Sequence, residues 1–540
     1  MVTIKASHTV APNQPTPQGR LWLSNSDQTA RPAHTPNLYI YKAKHNIIEY
    51  DIEKMIDSLS KILVHYYPVA GRLSVTESGR MEVDCNAKGV TLIEAETAKT
   101  FDDFGDFTPS DSIKEELVPV IDYHSQPIEE IPLVLVQVTR FKGDRKQQGL
   151  AVAVAVSHPV ADGYAWIHFI NTWAKVNRGG MLDLNDMPCL DRTIRRSSSL
   201  SSPPPRFDHP ELKPLPFKLG KSDSTEEQNK KTTAAVLKLT SEQVEMLRKK
   251  ANENENLSTK QGSRSRPCSR FEAVAAHIWR CACKARELDR NQPTLVRFNA
   301  DFRNRLTPPL PRNYFGNALA ATVTPECYAG EITSKPLSYA ARKMREAVEM
   351  LKEEYISSQL DIALGEEQLE SIKALFSRQG ERRNAPFAGN PNLQITSWIN
   401  IPLYEADFGW GKPEHFVLGY VCPFDRGIII QGPENDGSVI VIMYFQISHM
   451  QLFKKFFYED VFTSRFLGKT VSIFIQENNV SKPSPPLNMR KEYVNKFLPH
   501  HDKGDIKTLD YQNDETLLPY QFSTRTIASS TFIPHPLSIP

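Results

Sequence analysis

Residues 150–163 read LAVAVAVSHPVADG, and the fold is decided there. Leu150 to Val156 is short, apolar and rich in valine, the composition of a strand buried on both faces. After Ser157 and His158, Pro159 bars a regular continuation. Asp162 and Gly163 close a tight turn, and Trp166, Phe169, Ile170 and Trp173 then recur at helical spacing. A histidine and a carboxylate thus stand between a buried strand and a helix, a place where a rigid scaffold positions functional groups. An imidazole titrates near neutral pH and can exchange a proton there. Taken alone, His-x-x-x-Asp fits better a core histidine that caps the helix, because the pattern recurs by chance.

Working outward, Leu133 to Thr139 reads as a neighbouring strand, separated by a polar turn at 143–148. Leu38 to Tyr41 is a short strand. Ile52, Met55, Leu59, Ile62, Leu63 and Tyr66 share one face of a helix that Pro68 ends. Ala70 to Leu73 turns into a strand paired with Met81 to Cys85. Between 191 and 231 the composition shifts to Arg195-Arg196, a serine run and Pro203-Pro204-Pro205, a linker or long crossover. It divides an N-terminal domain, 1–190, from a C-terminal domain, 232–462, with a segment near 360–400 expected to pack with the first. In the second half, Thr240 and Gln243 have capping-box spacing, and 252–267 reads as a polar surface loop. Helices are expected around Phe271 to Ala282, from Leu337 to about Tyr355 and over His449 to Tyr458, and strands over Leu393 to Ile401 and Ser438 to Ile447. Scattered prolines and no apolar period make 463–540 a tail expected to be disordered.

Across 540 residues, 65 Lys and Arg against 63 Asp and Glu give a net charge of +2, so no global field points to nucleic acid or a membrane surface. Seven cysteines without a Cys-x-x-Cys spacing signal neither a disulfide framework nor a zinc site. No run reaches the length of a membrane span, and the N-terminus lacks the apolar stretch of a secretory signal. A cytoplasmic setting is expected. Gly220-Lys221-Ser222 and Gly468-Lys469-Thr470 imitate P-loop endings but lack the upstream glycine. No Gly-x-Ser-x-Gly elbow marks a serine hydrolase.

Asp407-Phe408-Gly409-Trp410-Gly411 lies 249 residues beyond His158. Together with His158-x-x-x-Asp162-Gly163, Tyr67 to Leu73, Pro308 to Pro311 and Tyr314-Phe315-Gly316-Asn317, it makes residues 3 to 462 resemble the plant BAHD family of acyl-CoA-dependent acyltransferases. Within the family, Pro15-Thr16-Pro17, His277 to Arg286 and Pro386 to Leu393 resemble spermidine hydroxycinnamoyl transferases. His34 to Tyr41 and Thr396-Ser397-Trp398 are shared with the shikimate and quinate enzymes.

The resemblance implies an α/β fold of two similar chloramphenicol-acetyltransferase-like domains, with mixed sheets and a central solvent channel. It makes His158 the general base that deprotonates the acceptor, and Asp162 a structural partner of Arg303. Asp407 would hold its loop or act as a second proton acceptor in catalysis. Tyr39, Arg383, Thr396 and Trp398 match substrate-binding positions. Acyl-CoA is the implied co-substrate, with no tightly bound cofactor and no metal. The implied partners are small molecules only, neither nucleic acid nor membrane, acting on a monomer. The acceptor expected is an amine, a polyamine such as spermidine, with shikimate or quinate ester formation as the enzymatic alternative and a catalytically silent binding protein as the non-enzymatic one.

Overall fold

The computed structural model describes residues 2–42, 50–123, 125–142, 148–193, 207–253, 266–362, 365, 387–459 and 461. Met1–Leu467 forms one compact unit. The expected tail, the turn at 143–147 and most of the loop at 252–267 lie outside the described residues.

Two six-stranded mixed sheets organise the chain. The first runs in the order Val2–Val10, Val90–Thr97, Val134–Lys142, Gln148–Ser157, His34–Lys42 and His415–Leu418. Its pairs are antiparallel except Val90–Thr97 with Val134–Lys142. The second runs Leu319–Val323, Val296–Asp301, Leu393–Trp398, Arg426–Gln431, Val439–Gln446 and Thr232–Leu239, with its three central strands parallel.

The strand ahead of His158 is buried on both faces because its side chains alternate by size. Val152, Val154 and Val156 enter a core shared with the helices Ile52–His65 and Gly163–Asn177. Ala151 and Ala153 face the opposite side, against Phe101, Phe107 and Phe141. Pleat period two sends the residues to these two cores. Helix Gly163–Asn177 starts at Asp162, whose side chain accepts the Ala165 N–H, and buries Trp166, Phe169, Ile170 and Trp173.

The second sheet also has two distinct faces. Ile429, Val441 and Met443 pack on helices Ser241–Asn252, Arg270–Ala285, Leu337–Met350 and Ile447–Glu459. Ile428, Ile430, Ile442 and Tyr444 instead join the core that contains Val160, Ala161 and Trp166. The inner face of the second sheet therefore looks toward the His158 turn.

One expectation is corrected. The single helix from Leu337 to Tyr355 is two, Leu337–Met350 and Glu353–Ile362. The Arg305 guanidinium donates to the carbonyls of Val348 and Leu351, satisfying groups that the end of a helix leaves open. The strand His415–Leu418 from the second half pairs with His34–Lys42 in the first sheet, and most of the segment near 360–400 lies outside the described residues. Within the crossover, Arg192 and Glu211 are both buried.

Candidate active site

The turn after the buried strand is held by its backbone. Ser157 N–H donates to the Leu133 carbonyl and His158 N–H to that of Ala33. The carbonyls are taken in succession. Trp166 Nε1 donates to Ser157 O at 3.2 Å, and Asn317 Nδ2 to His158 O at 2.9 Å and Pro159 O at 3.3 Å. Arg192 Nη2 donates to Val160 O at 2.6 Å. With its polar backbone satisfied by residues distant in sequence, the turn has one main-chain path available.

Asp27 ties these clamps together. One of its oxygens accepts from the Asn317 backbone and side chain at 2.8 and 2.9 Å, and the other from Arg192 Nη1 at 2.8 Å and from Ser24. Ser24 and Asp27 form a capping box, a spacing readable in sequence. Sequence reading assigned no role to Asp27, Arg192 or Asn317, although Asn317 stands in the Tyr314-to-Asn317 stretch that carried the resemblance.

Asp162 is taken up by donors other than the imidazole. Arg303 donates to it twice, Nη1 to Oδ2 at 2.8 Å and Nη2 to Oδ1 at 3.0 Å, and the N–H groups of Ala318 and Ala165 add two more bonds. Four donors fill the lone-pair sites of a carboxylate. Burial would raise its pKa, but Arg303 and the backbone donors hold it below the ordinary value. Arg303 lies within cation–π range of the rings of Tyr164 and Tyr314. The pair is a brace between the two halves of the chain.

His158 itself is half-buried, and its Nδ1 is enclosed without a hydrogen-bond partner. Burial lowers the imidazole pKa. The residue's own carbonyl and Asp162 oppose that shift, and Arg426 adds to it. The ring is thus mainly neutral at pH 7, the state a general base requires.

Trp398 comes to the same place. A Cβ added at Gly163 would stand 2.9 Å from Trp398 Cζ2, so the indole packs against the first residue of the helix. Thr396 lies two residues earlier on the same strand, and its Oγ1 accepts from Arg426 Nη2 at 2.9 Å. Tyr39 is fully buried, edge-on to Phe416, with its hydroxyl unpartnered. Arg383 lies outside the described residues.

Asp407 is not brought to His158. Its Oδ1 accepts from the N–H groups of Gly409 and Gly411 at 2.8 and 2.9 Å. Those glycines have φ of +107° and +92°, a conformation that suits residues without Cβ. Arg178 Nη1 donates to the Asp407 carbonyl at 2.8 Å and Asn177 to that of Phe408. Both donors sit at the far end of the 15-residue helix that begins beside His158, roughly 20 Å along its axis. Of the two roles expected for Asp407, these contacts are those of a carboxylate that shapes its loop.

Among the described residues, no group of three or more His, Cys, Asp and Glu side chains could hold a metal ion, and no helix is long and apolar enough to cross a membrane.

Comparison with known proteins fits this geometry. Residues 1–460 match the Transferase family. The chain is 41% identical over 469 residues to hydroxycinnamoyl-CoA:piscidic acid hydroxycinnamoyltransferase of Actaea racemosa, covering 85% of this chain and 100% of that protein. It is 39% identical over 460 residues to shikimate O-hydroxycinnamoyltransferase of Nicotiana tabacum, covering 85% and 99%. Its fold is similar to that of vinorine synthase, with a TM-score of 0.60 at 21% identity over 84% of this chain and 96% of that one. With its paired mixed sheets, its braced His158 turn and this family match, the chain belongs to the Transferase family, the acyl-CoA-dependent acyltransferases of the BAHD type.

Proposed function

We propose that this protein transfers a hydroxycinnamoyl group from its coenzyme A thioester to the hydroxyl of a small hydroxy acid, with His158 as general base. The observation that carries this is the clamped turn. Its carbonyls are spoken for by Asn317, Arg192 and Trp166, which fixes the main chain and leaves the imidazole as the unsatisfied group. The ring takes the acceptor's proton as the acceptor oxygen attacks the thioester carbonyl carbon. A tetrahedral oxyanion forms, the C–S bond breaks, and the imidazolium returns the proton to the departing thiolate.

The clamped main chain fixes where the imidazole is presented to the acceptor. Orientation of this kind is a large part of catalysis, because a base held in place acts as an intramolecular one.

The acceptor class is supported by the relatives, whose names specify piscidic acid and shikimate. A polyamine, the expectation from the sequence, is the second reading, supported by the stretches resembling spermidine transferases. Incubating purified protein with coumaroyl-CoA and a panel of hydroxy acids and polyamines, with products identified by mass, tests both. Ester formation on a hydroxy acid is the expected result. Amide formation on spermidine alone would overturn the acceptor assignment.

A further inference from the structure

We infer that His34 is a positioning residue for His158: its side chain ties together the two strands between which the base is hung. The inference rests on the reading of His158 as general base above and extends it to a residue outside the turn.

The step from Ser157 to His158 hangs between two flanks. Ser157 N–H donates to Leu133, just before strand Val134–Lys142, and His158 N–H to Ala33, just before strand His34–Lys42. Register puts His34 opposite Ser157 on one side, and Val134 opposite Val156 on the other. The His34 imidazole reaches past Ser157 to the far flank, where its Nε2 lies 2.8 Å from the Pro132 carbonyl oxygen. One side chain therefore joins the residue after Ala33 to the residue before Leu133.

Donor and acceptor roles leave this bridge one arrangement. A carbonyl only accepts, so Nε2 carries the proton. Burial lowers the His34 imidazole pKa to about 4, so the ring is neutral at pH 7 and Nδ1 is bare. Burial also pushes the Tyr123 hydroxyl up to about 12, and it keeps its proton. Nδ1 then accepts from the Tyr123 hydroxyl at 2.5 Å, and the same oxygen accepts the His34 main-chain N–H at 2.7 Å. That N–H belongs to an edge which strand His415–Leu418 does not reach, since its pairing ends at Asn37. Tyr123 and Pro132 thus take both ring nitrogens and the main-chain donor of one residue.

The bridge backs the strand from the side opposite to the valines that lead to His158. Leu38 and Ile40 face the core of Phe101 and Phe107, and His34 shares their parity. Val152, Val154 and Val156 enter the other core. The effect of His34 is therefore on placement, and a catalytic group misplaced by about 1 Å can lose about 10²-fold in rate.

The test is steady-state kinetics with coumaroyl-CoA and the best acceptor of the panel above. Wild type, His34→Leu, His34→Gln, Tyr123→Phe and His158→Ala are compared at a temperature where their melting curves show each folded. His34→Leu should lower kcat by about ten- to a hundredfold, with both KM values within about threefold. A glutamine amide offers Pro132 a donor and Tyr123 an acceptor, as the neutral ring does, so His34→Gln should recover most of kcat. Tyr123→Phe changes an exposed residue and should lose about three- to tenfold in kcat, the scale of one hydrogen bond; it carries the test alone if the leucine variant does not fold. An unchanged kcat in Tyr123→Phe, a rise in acceptor KM in place of the kcat loss, or a glutamine variant no better than a folded leucine variant overturns the inference and leaves the base reading standing. A wild type inactive with the whole panel, or a His158→Ala variant that keeps turnover, overturns that reading first, and this inference with it.

Discussion

Asp162 and Arg303, 141 residues apart in sequence, meet through two parallel hydrogen bonds, and both side chains are withdrawn from solvent. Such a pair is worth little more than a well-packed apolar pair, but breaking one side strands the other charge at a cost of about 3–5 kcal/mol. Asp162→Asn keeps the helix cap and removes the charge. It should lower the melting temperature and the activity together. Unchanged melting with abolished turnover would mean that the carboxylate acts in the chemistry.

His158→Ala should leave melting nearly intact and reduce kcat by about 10²- to 10⁴-fold. Because burial lowers the imidazole pKa, the acid limb of kcat/KM should have its midpoint below the ordinary histidine value of about 6.5. The sign for stability follows. The unfolded chain binds this proton more tightly than the fold, so stability is lost as pH falls from about 6.5 toward the lowered value. An acid limb at or above 6.5 would put another group in control.

Asp407→Asn retains an oxygen for the N–H groups of Gly409 and Gly411, whereas Asp407→Ala does not. The asparagine variant should stay within a few-fold of parental kcat, and the alanine variant should lose about 1–2 kcal/mol of stability. Collapse of turnover in the asparagine variant alone, at unchanged melting, would restore a proton-transfer role.

Gly163→Ala drives a methyl group into the Trp398 ring, at 2.9 Å from Cζ2. The overpacking should destabilise by about 1–3 kcal/mol and raise KM for the acceptor. Trp398→Phe, being smaller, should relieve the melting defect in the double variant. Simple additivity of the two changes would show that the contact is not the cause.

What was legible in the sequence was local. The Leu150-to-Val156 strand announced itself because burial on both faces excludes polar residues. Asp162 was readable as a turn carboxylate, and the apolar stripes of Ile52–His65 and Gly163–Asn177 follow from helical period. Strand Val2–Val10 escaped because His8 interrupts its apolar alternation and, at the sheet edge, most of its side chains stay exposed. The break after Met350 escaped because Arg305, 45 residues away, supplies the cap. Asp27, Arg192 and Asn317 each look ordinary alone. Their role exists only once three distant segments converge on one turn, which no spacing rule encodes.

The strand His415–Leu418 has a consequence for how the chain is made. It covers the outer edge of His34–Lys42, which emerges from the ribosome some 370 residues earlier. At about 5–20 residues per second, the edge around Leu38, Tyr39 and Ile40 waits uncovered for roughly 20 to 75 seconds. Unpaired apolar strand edges invite pairing with other chains, so the nascent N-terminal half is the aggregation-prone species, and slower translation of the second half lengthens its exposure. A chain truncated before His415 would keep that liability permanently.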